Sequence, residues 1–346
     1  MINTIDERAL TTISQSPFLP RTKIQFAWDS TSLGLFKECP RKYQYTMIDG
    51  WAPREESIHL RFGGEYHAAL EHFDKEMALG IDREAAIFHT ILKLVSNIWD
   101  WNPDRETKAG HYKNRDTLVS LVVDYLDHFN SDPAQTYLKS DGTPAVELSF
   151  RFELDWGPNN DTEMVGGNIN VIEHEDGSLE EKPIQPYLLC GHLDRVVSFN
   201  DQLLVMDRKT TTTTLGPYYF SQYEPHNQMS LYILAGRIIL NTPIRGAIID
   251  AAQIKLEEPN AFARGFTYRT EDQLNEWLID LRTTLAIAET YAIRDHWPMN
   301  DTACNNYGGC RFRSICSKSP SVRDKFLAAE FDKLDEDARW NPLKPR

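Results

Sequence analysis

The sequence lacks the features of a membrane or secreted protein. It contains no run of about 18 or more apolar residues, so we expect no segment to cross a bilayer. The first residues, MINTIDERAL, have no basic region followed by an apolar core, which argues against a secretory signal there. We therefore expect a cytoplasmic protein.

Positive charge is scarce. The chain of 346 residues has 37 lysines and arginines against 51 acids, a formal net charge of −14. Such a chain is a poor general attractor for nucleic acid, so any binding of nucleic acid must depend on a local basic patch or a metal site. No phosphate-binding P-loop and no dinucleotide fingerprint are present, which excludes a motor domain and a nucleotide cofactor from the leading interpretations.

The chain has only five cysteines, an odd number that argues against a disulfide framework. Cys304, Cys310 and Cys316 lie within 13 residues in a C-x5-C-x5-C pattern, which indicates ligation of a metal or cluster. Cys39, far upstream, is available as the fourth thiolate. Four soft thiolates suit either zinc or an iron–sulfur cluster, and the spacing alone leaves both open.

The apolar pattern divides the chain into a helical part and a part with alternating helices and strands. Periodicity predicts mostly helices in the first 130 residues, including one over 61–79 that starts after Gly63-Gly64. A short helix is expected within Thr31 to Asp49, where Pro40 either interrupts it or starts a second turn. Later segments predict strands, a helix over 224–240 and a long helix over 270–297. This order favours an α/β or α+β sheet flanked by helices.

Residues 187–209 are predicted to form a β-hairpin that carries two acids. The polar pair Asn200-Asp201 is the expected two-residue turn, so residues whose numbers sum to 401 should pair. This register sets Asp194 opposite Asp207, and the two-residue period puts Lys209 on the same face as Asp207. Opposed carboxylates repel each other, which needs an explanation.

A bound divalent cation would remove this repulsion. Carboxylates are hard oxygen ligands that suit Mg²⁺ or Mn²⁺. A neighbouring lysine can orient a water or stabilise charge that develops on a phosphate. The pattern therefore predicts metal-assisted phosphodiester hydrolysis. The alternative is a surface hairpin whose charges face solvent, and the apolar flanks of the hairpin argue against it.

Two further polar pairs have helical spacing. His67 and Glu71 share one helix face, and so do Gln228 and Tyr232. Taken alone, each pair is equally consistent with an ordinary helix surface. Basic residues accompany the cysteines at both ends of the chain, and they would form a local patch if the cysteines meet: Lys37, Arg41 and Lys42, then Arg311, Arg313 and Lys318.

The motifs resemble the PD-(D/E)XK nuclease superfamily in its RecB-type exonuclease branch. GHLDRVV, VMDRKT and QMSLY follow the pattern G-x-x-D, (D/E)-x-K and Q-x-x-x-Y of that branch. FGGEYHAALEHF is similar to the segment that carries its histidine. The stretch from Ser32 to Tyr43, together with the C-terminal cysteines, resembles the iron–sulfur members, which include the CRISPR adaptation nucleases and the nuclease domain of AddB.

The resemblance implies a restriction-endonuclease-like α/β core: a mixed central sheet flanked by helices, with a helical N-terminal region and a cysteine-stapled C-terminal segment. It implies Mg²⁺ or Mn²⁺ and a 4Fe–4S cluster in preference to zinc. The implied catalytic residues are Asp194, Asp207, Lys209, Gln228 and Tyr232. The implied metal ligands are His67, Asp194, Asp207 and the backbone carbonyl of Arg208. The cluster ligands would be Cys39, Cys304, Cys310 and Cys316, and the nucleic-acid contacts Arg41, Lys42, Arg311 and Arg313.

We accordingly expect one nuclease domain over 1–316, with a helical insertion at about 75–130, an acidic loop at about 157–185 and a C-terminal tail over 317–346. The expected activity is metal-dependent exonuclease digestion of single-stranded DNA or duplex ends. Recombination or repair, phage DNA metabolism and CRISPR adaptation are the expected settings, in a bacterium or a phage-infected host. A helicase or recombination protein is a possible partner. The alternative is a non-catalytic subunit that binds DNA ends through its cysteine-ligated site.

Overall fold

The computed structural model describes residues 3–4, 16–20, 22–158, 169–173, 179–183 and 185–344. Its helices are α1 Ser30–Glu38, α2 Pro40–Tyr43, α3 Ile58–Ala78, α4 Arg83–Asn97, α5 Lys108–Tyr112, α6 Arg115–His128, α7 Pro217–Ser221, α8 Asn227–Leu240, α9 Glu271–Ile293, α10 Arg313–Cys316 and α11 Arg323–Glu330. Its strands are β1 Asn3–Thr4, β2 Ala27–Trp28, β3 Trp51–Pro53, β4 Gln135–Thr136, β5 Val146–Glu153, β6 Ile169–Glu173, β7 Leu179–Pro183, β8 Leu188–Phe199, β9 Gln202–Thr211, β10 Ile244–Gln253, β11 Ala261–Tyr268 and β12 Phe331–Lys333. No helix in the described ranges is long and apolar enough to cross a membrane.

The chain folds into two compact units made of interleaved segments. The first unit comprises Met1–Glu55, Ser149–Gly191 and Asn275–Arg346, and the second comprises Glu56–Leu148 and His192–Leu274. The hairpin acids and the residues expected to accompany them belong to the second unit. The cysteines expected to ligate a cluster belong to the first unit: Cys39 near the N-terminus and Cys304, Cys310 and Cys316 near the C-terminus.

The second unit is built on a mixed sheet. Strand β9 pairs antiparallel with β8 and parallel with β10, and β10 pairs antiparallel with β11. Helix α8 packs closely on this sheet: a Cβ built at Gly236 would lie 3.2 Å from a methyl of Val205 and 3.1 Å from Ile244. The fold class predicted from the sequence, a mixed sheet flanked by helices, is confirmed.

Helices α3, α4 and α6 form the helical side of the second unit. Their apolar faces meet in one core, to which Ala252 of β10 and Ile254, just after the end of β10, also contribute. The helix expected to start after Gly63-Gly64 instead begins at Ile58, because the Ser57 side chain accepts a hydrogen bond from the Leu60 N–H. The helix continues through both glycines, and buried Phe62 and Tyr66 on either side outweigh their low helix propensity.

Two packed groups rich in aromatic side chains stand near the cysteines in the described part of the first unit. Trp28 stacks on Tyr43 at 5.5 Å between ring centroids, and Phe36 and Trp297 pack edge-on or tilted against the pair. Cys39 is extended and separates α1 from α2, and Pro40 is the first residue of α2, so Pro40 starts a second helical segment. The other group is a small core that includes residues of the expected C-terminal tail: Tyr45, Phe312, Ile315, Leu327 and Phe331.

The expected acidic loop lies largely outside the described residues. Its described parts are β6 and β7, which pair antiparallel from Ile169↔Pro183 to Glu173↔Leu179. The long helix expected over 270–297 is confirmed as α9, and the helix expected over 224–240 is confirmed as α8.

Candidate active site

The hairpin that carries the two acids has the predicted register. Asn200 and Asp201 have φ angles of 49° and 58°, which are the positive values that a type I′ turn requires at both central residues. Phe199 pairs with Gln202, and pairing continues to Arg195↔Met206. The observed pairing ends there, and Asp194 and Asp207 are the next residues along the two strands.

Asp207 and Lys209 lie on one face of β9 and contact each other. Lys209 Nζ is 2.5 Å from Asp207 Oδ2, with 28% of the lysine side chain exposed but only 2% of the aspartate side chain. Burial raises the pKa of Asp207 above its usual range, against the opposing effect of the lysine. Burial alone would lower the pKa of Lys209, but the charges of Asp207 and Asp194 raise it. Lys209 is therefore a firmly charged ammonium group.

Asp194 is held by two donors from different elements. His67 Nδ1 on α3 lies 3.1 Å from Asp194 Oδ2, and the backbone N–H of Arg208 donates to the same oxygen at 3.0 Å. Burial would raise the pKa of Asp194, but His67, Lys209 and this N–H together hold it well below its usual range. The charge of Asp194 in turn raises the pKa of His67, although burial acts in the opposite direction.

Helix α8 extends the contacts of Lys209. The lysine donates to Gln228 Oε1 at 3.3 Å, and Gln228 Nε2 donates to the Tyr232 hydroxyl at 3.0 Å. The spacing of four residues sets these two side chains on one helix face, as their sequence predicts. The structure thus links Lys209, Gln228 and Tyr232 by hydrogen bonds, and Asp207 joins them through its ionic contact with Lys209.

The Arg208 side chain points to the other face of β9, as strand alternation predicts. Its guanidinium donates to Asp74 Oδ2 at 2.6 Å. Sequence reasoning missed Asp74, although one signal was present: Asp74 follows His67 by seven residues, which sets both on the same side of α3.

The donor set suits a hard divalent cation. Within the described ranges, no three His, Cys, Asp or Glu side chains are drawn together as a metal site, since His67 contacts Asp194 and Asp207 contacts Lys209. Asp207 Oδ2 is buried 2.5 Å from the Lys209 ammonium and, within the described part of the chain, has no hydrogen-bond partner of good geometry. Burial of an incompletely satisfied carboxylate oxygen is unfavourable unless another partner joins it. Carboxylate oxygens and an imidazole are suitable ligands for Mg²⁺ or Mn²⁺.

The expected cluster cysteines all belong to the first unit and none forms a disulfide, but the described residues do not bring them together as a metal-binding group. Asn300 joins two of them, because its N–H donates to Cys39 Sγ at 3.3 Å and its carbonyl accepts from Cys304 Sγ at 3.8 Å. Burial raises the pKa of Cys304 and of Cys316, and the nearby thiols of Cys39 and Cys310 raise both further. Cys190 is buried in β8, and burial raises its pKa to about 12.

The basic residues near these cysteines make different contacts. Arg41 is buried and donates to the Trp297 carbonyl at 2.7 Å. Lys42 pairs with Glu38 at 2.8 Å. Arg311 and Arg313 are exposed, and Arg313 donates to Asn305. A role for these four side chains in binding nucleic acid stays a prediction.

The mixed sheet and its flanking helices have the α/β architecture of restriction-endonuclease-like proteins, and the site adds an aspartate and an Asp-x-Lys pair on adjacent strands. The sequence matches the PD-(D/E)XK nuclease superfamily over residues 28–317. The chain belongs to this superfamily.

Two solved structures are similar to the chain. One is described as a "Putative exonuclease" from Eubacterium rectale and is 12% identical, with 87% of this chain and 92% of that chain covered and a TM-score of 0.46. The other, SSO0001, is 13% identical, with 90% of this chain and 91% of that chain covered and a TM-score of 0.29. No curated protein has a significant match. Membership of the superfamily therefore depends on the sequence match and the described fold.

Proposed function

We propose that this protein is a Mg²⁺- or Mn²⁺-dependent DNA exonuclease of the RecB-type branch. The observation that carries the proposal is the contact chain from Asp207 through Lys209 and Gln228 to Tyr232, beside the contact of His67 with Asp194. Hydrolysis of a phosphodiester needs ligands for a cation, a held water and a donor to the developing negative charge. The acids and the histidine can serve as ligands, and Lys209 can hold the water and act as the donor.

His67, Asp194, Asp207 and the backbone carbonyl of Arg208 are the proposed metal ligands. A bound cation would polarise a phosphoryl oxygen and lower the pKa of a water ligand. The N–H of Arg208 fixes the orientation of the Asp194 carboxylate through its hydrogen bond of 3.0 Å. A carboxylate that is held in one orientation loses less conformational entropy when it binds a cation.

Lys209 is the proposed group that holds the attacking water and stabilises negative charge on the phosphate. Its ammonium group is partly exposed and in contact with Asp207, so it is both charged and accessible. We assign Gln228 and Tyr232 to positioning, since their hydrogen bonds direct the lysine and extend the polar surface toward DNA. Preorganised donors of this kind lower the barrier because they need no rearrangement during the reaction.

The proposed substrate is single-stranded DNA or a duplex with free ends, in the cytoplasm. Arg311 and Arg313 are the proposed phosphate contacts because both are exposed. Arg41 and Lys42 are better suited to supporting that surface, given their contacts with Trp297 and Glu38. The chain carries no motor motif, so we propose that it acts in recombination, repair, phage DNA metabolism or CRISPR adaptation, alone or with a helicase or recombination partner.

We propose that Cys39, Cys304, Cys310 and Cys316 ligate a 4Fe–4S cluster. Support comes from the soft thiolate ligands that four cysteines would offer, and from Asn300, whose backbone contacts both Cys39 and Cys304 although they belong to distant parts of the chain. Such a cross-link would stabilise the first unit by limiting the freedom of the unfolded chain. An anaerobic preparation with a broad absorbance near 400 nm that bleaches on reduction supports a cluster. A colourless preparation with one zinc per chain contradicts it.

The decisive experiment digests DNA labelled at the 5′ or the 3′ end with Mg²⁺, Mn²⁺ or EDTA. Wild type should release short labelled products from one end and only with a metal. Asp207→Asn should be inactive, and Asp201→Asn, the same change at the exposed hairpin turn, should be active. Equal inactivity of all three proteins while each binds DNA ends would instead favour the non-catalytic subunit.

A further inference from the structure

Contacts between helix α3 and the hairpin close into a ring. His67 Nδ1 lies 3.1 Å from Asp194 Oδ2, and this oxygen accepts a hydrogen bond from the Arg208 N–H at 3.0 Å. The guanidinium of Arg208 then donates to Asp74 Oδ2 at 2.6 Å. Asp74 and His67 both belong to α3, so the contacts return to the helix where they began. All four residues lie in the second unit.

The two attachment points lie on one side of the helix. His67 and Asp74 are seven residues apart, which is close to two full turns and about 10 Å along the axis. One attachment is at the candidate active site and the other is in the protein interior. A helix that is fixed to a strand pair at two points on one side resists both rolling and sliding. The ring therefore determines where the His67 imidazole stands relative to the Asp194 carboxylate.

The interior attachment is a fully buried ion pair. Asp74 is 3% exposed and Arg208 is 2% exposed. Burial removes water from both charges, and the cost of this desolvation offsets most of the attraction between them. A buried pair is consequently a weak source of net stability, but it strongly favours one relative arrangement of the two elements that carry it. Fixing the geometry of α3 against β9 is the use that this pair is suited to.

The pair belongs to a larger buried network that does not depend on it. Asp74 also lies 3.4 Å from Arg195, and Arg208 lies 3.9 Å from Asp250. Each outer residue has another partner, with Arg195 3.8 Å from Asp132 and Asp250 3.1 Å from Arg264. Removal of both Asp74 and Arg208 thus leaves no isolated charge in the interior.

We propose that the side chains of Asp74 and Arg208 are positioning residues that hold His67 and Asp194 in the relative arrangement needed to bind the catalytic cation. The inference rests on the proposed metal-dependent function of that site. Neither side chain touches the reacting groups: Arg208 acts through its own backbone N–H on Asp194, and Asp74 acts through α3 on His67.

The test replaces the pair with apolar residues of similar length in the double variant Asp74→Leu/Arg208→Met. Binding of Mn²⁺ is measured by electron paramagnetic resonance, and kcat and KM are measured on end-labelled DNA. We expect the Kd for Mn²⁺ to rise about 10- to 100-fold, as is typical when a group that orients a metal ligand is lost. We also expect kcat to fall, KM for DNA to stay within about twofold and the melting temperature to change little, since paired charges are removed together.

Two comparisons separate positioning from general stability. Arg208→Lys keeps the charge opposite Asp74 and should recover part of the Mn²⁺ affinity. Asp132→Asn weakens the same network outside the ring and should bind Mn²⁺ like wild type. If the double variant fails to fold, Asp74→Asn, which keeps the shape without the charge, is measured with the same expectation for Mn²⁺ affinity and with lower stability, because Arg208 keeps its buried charge.

The outcomes are distinct. Mn²⁺ binding that is unchanged in the double variant, or equally weakened in Asp132→Asn, overturns the positioning role and leaves the proposed function standing. A wild-type protein that binds no Mn²⁺ and digests no DNA overturns the proposed function and the inference with it.

Discussion

The two polar groups of this protein are organised in different ways. In the second unit, opposite charges meet directly, with Lys209 2.5 Å from Asp207 and His67 3.1 Å from Asp194. In the first unit, the contacts that hold Cys39 and Cys304 run through the backbone of Asn300. One group is organised by its own ion pairs, and the other by contacts of its thiols with the backbone.

The difference indicates how each group would respond to a metal. Ion pairs and the Arg208 N–H orient the acids of the second unit in the protein alone, so a cation would meet side chains that are already charged and directed. The raised pKa values of Cys304 and Cys316 keep those thiols protonated, and metal or cluster binding must displace the protons. We therefore expect the first unit to depend on its ligand for stability, and the second unit to depend on its ligand for activity.

The largest expected effect comes from breaking the ion pair of the second unit. Lys209→Met keeps the length of the side chain and removes its charge. We expect DNA digestion to fall about 10²–10³-fold or more, because a preorganised donor to the developing charge is lost. The variant should also be less stable, since buried Asp207 loses its counter-charge.

A double variant separates these two effects. Asp207→Asn/Lys209→Met removes both charges, so chemical denaturation should show recovered stability while digestion remains absent. If stability does not recover in the double variant, the loss of stability in Lys209→Met does not come from the unpaired charge of Asp207.

The second effect concerns the cysteines. If a cluster joins them, Cys304→Ser should abolish absorbance near 400 nm and lower the stability of the first unit by about 3 kcal/mol, from loss of the long cross-link. Denaturation followed by tryptophan fluorescence measures this change. Cys190→Ala, which removes a buried thiol outside the group, should keep the absorbance. Equal absorbance in both variants would contradict ligation by Cys304 and would leave the four cysteines as an ordinary part of the fold.

The hairpin could be predicted from sequence because its determinants are local. The turn at Asn200-Asp201 fixes the register, and the period of two then fixes which face carries Asp207 and Lys209. Gln228 and Tyr232 follow from helical spacing in the same way. Each of these predictions uses residues that are close along the chain, together with a resemblance that names the motifs.

The contacts that were not predicted depend on distant residues. Asp74 and Arg208 are 134 positions apart, and their pairing requires the packing of α3 on β9, which no local pattern specifies. The interleaving of the two units is likewise a property of tertiary contacts. The start of α3 was missed because packing around Phe62 and Tyr66 outweighs two glycines that favour a break.

Glycine substitutions test how tightly each unit is packed. A Cβ at Gly191 in the first unit would lie 2.5 Å from the ring of Phe150. Gly191→Ala should therefore destabilise the protein by about 1–3 kcal/mol, as overpacking does. Gly63→Ala in α3 of the second unit meets nothing within 4 Å and should be neutral or stabilising by about 1 kcal/mol. Equal denaturation midpoints for the two variants would contradict this contrast.

The smallest effect contrasts the carboxylates of the two units. Asp194 in the second unit is held in its charged form, whereas burial in the first unit raises the pKa of Asp49 to about 6 despite nearby Lys333 and Arg339. A folded-state pKa above the unfolded value of about 3.9 means that the folded protein retains the proton longer. The stability that this proton provides is fully present below about pH 4 and is lost as the pH rises through about 6.

Asp49→Asn removes this titration and keeps the shape of the side chain. The variant should match wild type near pH 4 and be more stable at pH 8 by roughly 1–2 kcal/mol, a value reduced for partial exposure to solvent. Urea denaturation at the two pH values measures the difference. Asp201→Asn, at the exposed turn, should show no such divergence. If Asp49→Asn is less stable than wild type at pH 8, the attraction to Lys333 and Arg339 outweighs desolvation, and the carboxylates of both units are held in the same charged state.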